Sequence, residues 1–221
     1  MRWITDSTRR FSKRPFYDDD ELEYEAHSAI SDFLLEKNGC VDYPISTDDL
    51  TLLIEQHADL DIYADLSELG CDVEGVTSFS AGKRPFVRIR ESLTVDPKRQ
   101  NRLRTTLAHE FGHVRLHNIL FQQEAPGIPL FTQIRASEQI CKREHIATAL
   151  RTDWIEFQAG VICTALLAPK RAVLNLVSAT TLDRDSLLQL VASTFGISNE
   201  AAWVRLSRLG VIGDPRQQRM L

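Results

Sequence analysis

The chain has 221 residues, of which 43% are hydrophobic and 26% charged, and its net charge is −5. That composition fits one globular domain, or two small ones, and argues against a strongly basic nucleic-acid or membrane-binding surface. The opening MRWITDSTRRFSKRPF has no apolar run, so no secretory signal is expected, and no window approaches the ~18 apolar residues of a membrane span. Cys40, Cys71, Cys141 and Cys163 form no CxxC pair and are too sparse for a disulfide framework, which makes a reducing cytoplasm the expected compartment.

Residues 1–20 are polar and charged and read as a flexible N-terminal arm. From Asp20 to Glu36, Leu22, Ala26, Ile30, Phe33 and Leu34 recur at helical spacing, and Asn38-Gly39 ends the run. PISTDDLTLLIEQH predicts a second helix capped by Ser46 or Thr47, with Leu50, Leu53 and Ile54 inward. The period then changes. Val76–Phe79 and Phe86–Ile89 predict two antiparallel strands with Ala81-Gly82-Lys83 in the turn, and Pro85 marks the second as an edge strand or as beginning there. Asp96-Pro97 opens the next helix, which carries KRQNRLRTTLAHEFGHVRLHNIL.

A polar stretch over residues 122–152 is too long for an ordinary connection and reads as an insertion. DWIEFQAGVICTALLAP predicts an apolar helix from Trp154, ended by Pro169. Helices over residues 183–195 and 199–209, joined through FGIS, close the chain. The expected class is α+β and mainly helical, with a small antiparallel sheet. A main domain spans residues 21–175, and a C-terminal subdomain spans 176–221, with a helix-turn-helix-like pair.

His109-Glu110-Phe111-Gly112-His113 is an HExxH motif. On a helix this spacing puts His109 and His113 one turn apart on one face, where both imidazoles reach one Zn²⁺ at ~2.0–2.1 Å. Glu110 can then act as the base that deprotonates an activated water without being a ligand itself. By chance, the motif would appear in roughly one chain in a hundred of this composition. Leu103, Leu107, Phe111 and Val114 form a separate apolar stripe on the same segment, as an amphipathic helix requires. His117 continues the histidine column, but an unbroken helix carries it another ~6 Å along the axis, so it is expected beside the site rather than on the metal.

A catalytic zinc usually takes a third protein ligand. Glu124, Glu138, Glu144, His145, Asp153 and Glu156 are the candidates downstream. Glu156 has the best physical case, because Ala159, Gly160 and Cys163 continue its helix face and would allow close approach to another backbone. DWIE equally fits a capping box, with Asp153 as cap and Glu156 as its reciprocal partner. His145, Tyr63 and Arg115 are candidates for stabilising an oxyanion. The strand pair offers an edge to which an extended peptide could add.

The order of RLRTTLAHEFGHVRLH, an ExxA helix ending in LLAP, and a terminal FGISNEAAWVRLSRLG resembles the ImmA/IrrE family of metallopeptidases, over about residues 40–210 and including the GVTSF strand. The resemblance implies a zincin-like fold and a gluzincin-like ligand set of His109, His113 and Glu156, with Glu110 as catalytic base. It also implies Zn²⁺, with Mn²⁺ as the alternative ion. Its expected partner is a protein substrate, an Xre-like helix-turn-helix repressor whose cleavage derepresses stress, prophage or mobile-element genes. Gly160 stands where asparagine is common in that family, and Ala168 where methionine is common.

A rival expectation rests on LVASTFGISNEAAWVRLSRLG, which has the profile of a DNA-binding helix-turn-helix with Asn199, Arg205 and Arg208 on its second helix. The acidic chain and the need to bury Trp203, Val204 and Leu206 make direct DNA binding the weaker expectation. Zinc used structurally, in a sensor or antitoxin, is a third.

Overall fold

The computed structural model describes residues 1–122, 137–142 and 153–213, and these form an α+β fold. Two short strands, β1 (Arg2–Thr5) and β2 (Lys13–Phe16), open the chain. They are followed by α1 (Asp19–Asn38), α2 (Thr47–His57), β3 (Asp59–Ala64), β4 (Val73–Phe79), β5 (Phe86–Arg90) and the short α3 (Glu91–Thr94). Then come α4 (Gln100–His117), α5 (Ile119–Gln122), β6 (Ser137–Lys142), α6 (Trp154–Leu167), α7 (Lys170–Ser178), α8 (Arg184–Phe195) and α9 (Asn199–Arg208).

The helices begin and end where their chemistry dictates. Asp18 caps α1 in a reciprocal capping box with Glu21, and Gly39 closes it at φ 73, a conformation that glycine adopts without penalty. Ser46 caps α2. Asp96 caps a 3-10 turn over Pro97–Arg99, and α4 proper starts only at Gln100. The apolar faces expected on α1, α2 and α4 are all buried, and they meet α6, α8 and α9 in one core. Each fully buried Leu or Phe in it contributes about 1.5–3 kcal/mol of transfer free energy. Burial also pushes the Cys163 thiol up to about 12, so this residue behaves as a small core group donating to the Thr105 carbonyl.

Three expectations need correction. The sheet is mixed rather than antiparallel: its order is β3-β5-β4-β6, and β3 runs parallel to β5. A nonlocal strand therefore flanks β5, and β6, from within the 122–152 stretch, flanks β4. Neither β4 nor β5 has a free edge, so a peptide cannot add to either one. Residues 1–20 are not a loose arm. β1 and β2 pair antiparallel, and the buried Asp6 accepts bonds from Thr8, the Phe11 amide and the Trp154 indole N–H. The rest of 122–152 lies outside the described residues.

The C-terminal pair α8 and α9 turns through Gly196 at φ 59, with Ser198 capping α9. Arg205 of α9 is fully buried, where it donates to the Ala168 carbonyl and pairs with Glu23 of α1. It is thus a strut between α9 and the main core, not a surface cation. No single helix among the described residues is long and apolar enough to cross a membrane; α6 and α7 approach that only as a pair bent by 52°.

Candidate metal centre

Two helices build the centre. α4 presents His109 and His113, one turn apart, toward α6. The two helices pack closely because Gly112 has no side chain: a Cβ there would stand 2.9 Å from Ala159 Cα and 3.0 Å from its carbonyl oxygen. This seam brings Glu156, at the start of α6, level with the two imidazoles.

His109 Nε2 lies 3.1 Å from Glu156 Oε2 and 3.1 Å from His113 Nε2, and His113 Nε2 lies 3.4 Å from Glu156 Oε1. Ligands held ~2.0–2.1 Å from a tetrahedral ion are about 3.3–3.4 Å apart, close to these separations, with each imidazole meeting a different oxygen of the Glu156 carboxylate. Among the described residues this is the His/Cys/Asp/Glu group able to hold a metal ion, and all three members are buried. Burial alone raises the Glu156 carboxyl pKa, but the adjacent His113 and His109 outweigh it and hold that pKa well below the usual carboxylate range. His109 Nδ1 is buried with no hydrogen-bond partner among the described residues. The donor set is chemically suited to Zn²⁺ and to several other divalent ions.

The capping-box alternative for Glu156 does not hold. Asp153 makes no side-chain cap to α6 and instead pairs with Arg10 at 3.3 Å, while the Glu156 carboxylate faces the imidazoles. Of the other candidate ligands, Glu124, Glu144 and His145 lie outside the described residues. Glu138 is placed only by its backbone, opposite Ser78 in β6. Tyr63 is exposed on β3, separated from β4 by β5, and Arg115 pairs with Glu25 of α1 at 2.7 Å. Neither is positioned at the centre.

Glu110 is held from above by β4. The Thr77 hydroxyl donates to Glu110 Oε2 at 2.5 Å. Two residues earlier on the same strand face, a Cβ on Gly75 would overlap Glu110 Oε1 and stand 2.9 Å from Thr106 Cγ2. Sequence reasoning missed both contacts: Thr77 lay on the predicted strand Val76–Phe79, but Gly75 belongs to it only because the strand starts earlier, at Val73. It also missed Gly112 and Gln158. His117 sits where the helix rise puts it, beside the centre: its Nδ1 is 3.1 Å from His113 Nδ1 and its Nε2 is 3.1 Å from Gln158 Oε1. Burial, reinforced by His113, pushes the His117 imidazole down to about 3 and keeps it neutral.

No protein-family model matches the chain, and no curated protein matches it. The chemistry of the centre therefore rests on its own geometry.

Proposed function

We propose that the chain is a metal-dependent endopeptidase, with Zn²⁺ the expected ion and Mn²⁺ the alternative. The observation that carries this is the convergence of three buried side chains, His109, His113 and Glu156, whose ligand atoms lie within 4.8 Å of one another, with Glu110 next to His109 and held by Thr77. When bound, the ion would supply Lewis-acid polarisation of a peptide carbonyl and bring a water within reach of ionisation near neutral pH. Glu110 accepts the proton of the attacking water and returns it to the departing amine. Thr77 fixes the orientation of that carboxylate, and Gly75 leaves it room. His109, Glu110 and His113 have no exposed surface, so a peptide reaches them only when part of the surrounding wall moves. An extended substrate that joined the sheet would do so at one of its edges among the described residues, β3 or β6, of which β6 is the one next to β4.

The resemblance to the ImmA/IrrE family supports an Xre-like repressor as the substrate and a bacterial cytoplasm as the setting. The DNA-binding alternative has less support, because Arg205 is spent on Glu23 and Ala168. The test is a proteome-wide comparison of new protein amino termini in host cells producing the wild type or Glu110→Gln. A small set of Glu110-dependent cuts, centred on one helix-turn-helix protein, is expected. An identical set of termini in both strains, at rest and under stress, would sink the peptidase reading.

A further inference from the structure

The candidate ligand His113 is the inner end of a buried hydrogen-bond chain whose outer end is a backbone carbonyl. Gln158 Nε2 donates to the Pro15 carbonyl of β2 at 3.2 Å. A carbonyl can only accept, so it holds the amide NH₂ toward itself and turns Gln158 Oε1 toward His117. Oε1 also can only accept, so the proton of His117 must be on Nε2, 3.1 Å away. His117 Nδ1 is then a bare lone pair, and the group 3.1 Å from it, His113 Nδ1, must carry the hydrogen. An imidazole must be neutral to bind a metal and then has one N–H, so in that form His113 Nε2 is left bare, facing His109 Nε2 and the Glu156 carboxylate.

The chain is well protected. Gln158 is 3% exposed and His117 fully buried, and Trp154 stands edge-on to the His117 ring at 5.6 Å. Arg14 of β2 covers Trp154 at 5.2 Å, and Asp6 accepts from the Trp154 indole. The N-terminal ribbon thus supplies both the terminal acceptor and part of the wall around it.

We propose that His117, Gln158 and the Pro15 carbonyl are positioning groups for the metal centre, locking His113 in its Nδ1–H form so that its Nε2 lone pair is presented to the ion before the ion arrives. This rests on the metal-site reading of His109, His113 and Glu156. Metal-binding histidines commonly donate their second ring nitrogen to a carboxylate, a carbonyl or water, and losing that partner typically lowers metal affinity 10–100-fold. Here another imidazole fills that role, and its own tautomer is set from β2, on the far side of the chain.

The test uses full-length metal-free protein, with the wild type compared with Gln158→Met, His117→Phe and Gln158→Glu. Zn²⁺ affinity is measured by competition with a chromophoric chelator, ring tautomers by ¹⁵N NMR of labelled histidine, and folding by thermal melts without metal. The wild type is expected to bind one ion per chain and to show His113 protonated at Nδ1 and His117 at Nε2. Gln158→Met and His117→Phe should bind about 10–100-fold more weakly, and the His113 tautomer should become mixed in Gln158→Met. Gln158→Glu keeps an acceptor for His117 Nε2–H but loses the donor to the Pro15 carbonyl, so it should keep the His113 tautomer while losing part of the affinity. Wild-type affinity and tautomer in both Gln158→Met and His117→Phe would overturn the positioning role while leaving the metal site standing. A His113 tautomer as mixed in Gln158→Glu as in Gln158→Met would show that the acceptor at 158 does not set it and would overturn the role too. A wild type that binds no ion would overturn the metal site itself.

Discussion

The Thr77 hydroxyl donates to Glu110 Oε2 at 2.5 Å, from a strand to the residue beside the first candidate ligand histidine. A side-chain hydrogen bond is worth about 0.5–1.5 kcal/mol net, and that energy here fixes where the carboxyl group points. Thr77→Val keeps the shape and removes the donor. It should retain full metal content and lose about ten-fold or more in kcat/KM, measured on the cleaved substrate. Undiminished turnover would show that Thr77 does not orient the base.

Gly112 controls the helix seam. In Gly112→Ala the new methyl meets Ala159 backbone, which cannot rotate away, so α4 and α6 must separate. The expected costs are about 1–3 kcal/mol of stability and a weaker hold on the metal, because the seam aligns Glu156 with the histidines. Adding Ala159→Gly should not rescue, since the collision is with the main chain. Rescue in thermal melts and metal titrations would place the clash elsewhere.

Asp6 ties the N-terminal ribbon down in a pH-dependent way. Burial raises its pKa, but the Thr8 hydroxyl and amide, the Phe11 amide and the Trp154 indole together outweigh that and lower it. The folded value lies below the unfolded one, so its contribution is full above about pH 4 and is lost as pH falls through the folded value. Asp6→Asn should be about 2 kcal/mol less stable at pH 7, judged from its charged hydrogen bonds. The gap in urea midpoints should close on acidification below pH 4, and a gap that stayed constant would mean that the charge is not what matters.

Arg205 should prove structural. Removing one partner of a buried ion pair leaves the other uncompensated and costs about 3 kcal/mol or more. Arg205→Met should therefore lower the melting temperature markedly, with no specific change in duplex DNA binding by the folded fraction. Unchanged stability with lost salt-dependent DNA affinity would revive the DNA-binding alternative.

Local patterns on the sequence were enough to find most helices and the buried histidine column, because each depends on spacing within one element. Leu103, Leu107, Phe111 and Val114 are buried as their stripe requires, and His109 and His113 share a face because helix geometry demands it. Glu156 was ambiguous for a physical reason: a carboxylate in the first turn of a helix serves equally as a cap or as a ligand, and only the arrival of α4 decides. What stayed hidden is nonlocal. β3 reads as a strand only once it pairs in parallel with β5. The ribbon is held by Trp154 and Gln158, 148 and 143 residues from Asp6 and Pro15. Thr77 lies 33 residues from the carboxylate it orients.

The most direct measurement takes purified wild type and Glu110→Gln, determines metal per chain by elemental mass spectrometry, and follows hydrolysis of a peptide library by each. One ion per chain in both proteins, with hydrolysis by the wild type alone, is the predicted result. No bound ion in the wild type, or equal hydrolysis by the two, would contradict a metallopeptidase built on His109, His113, Glu156 and Glu110.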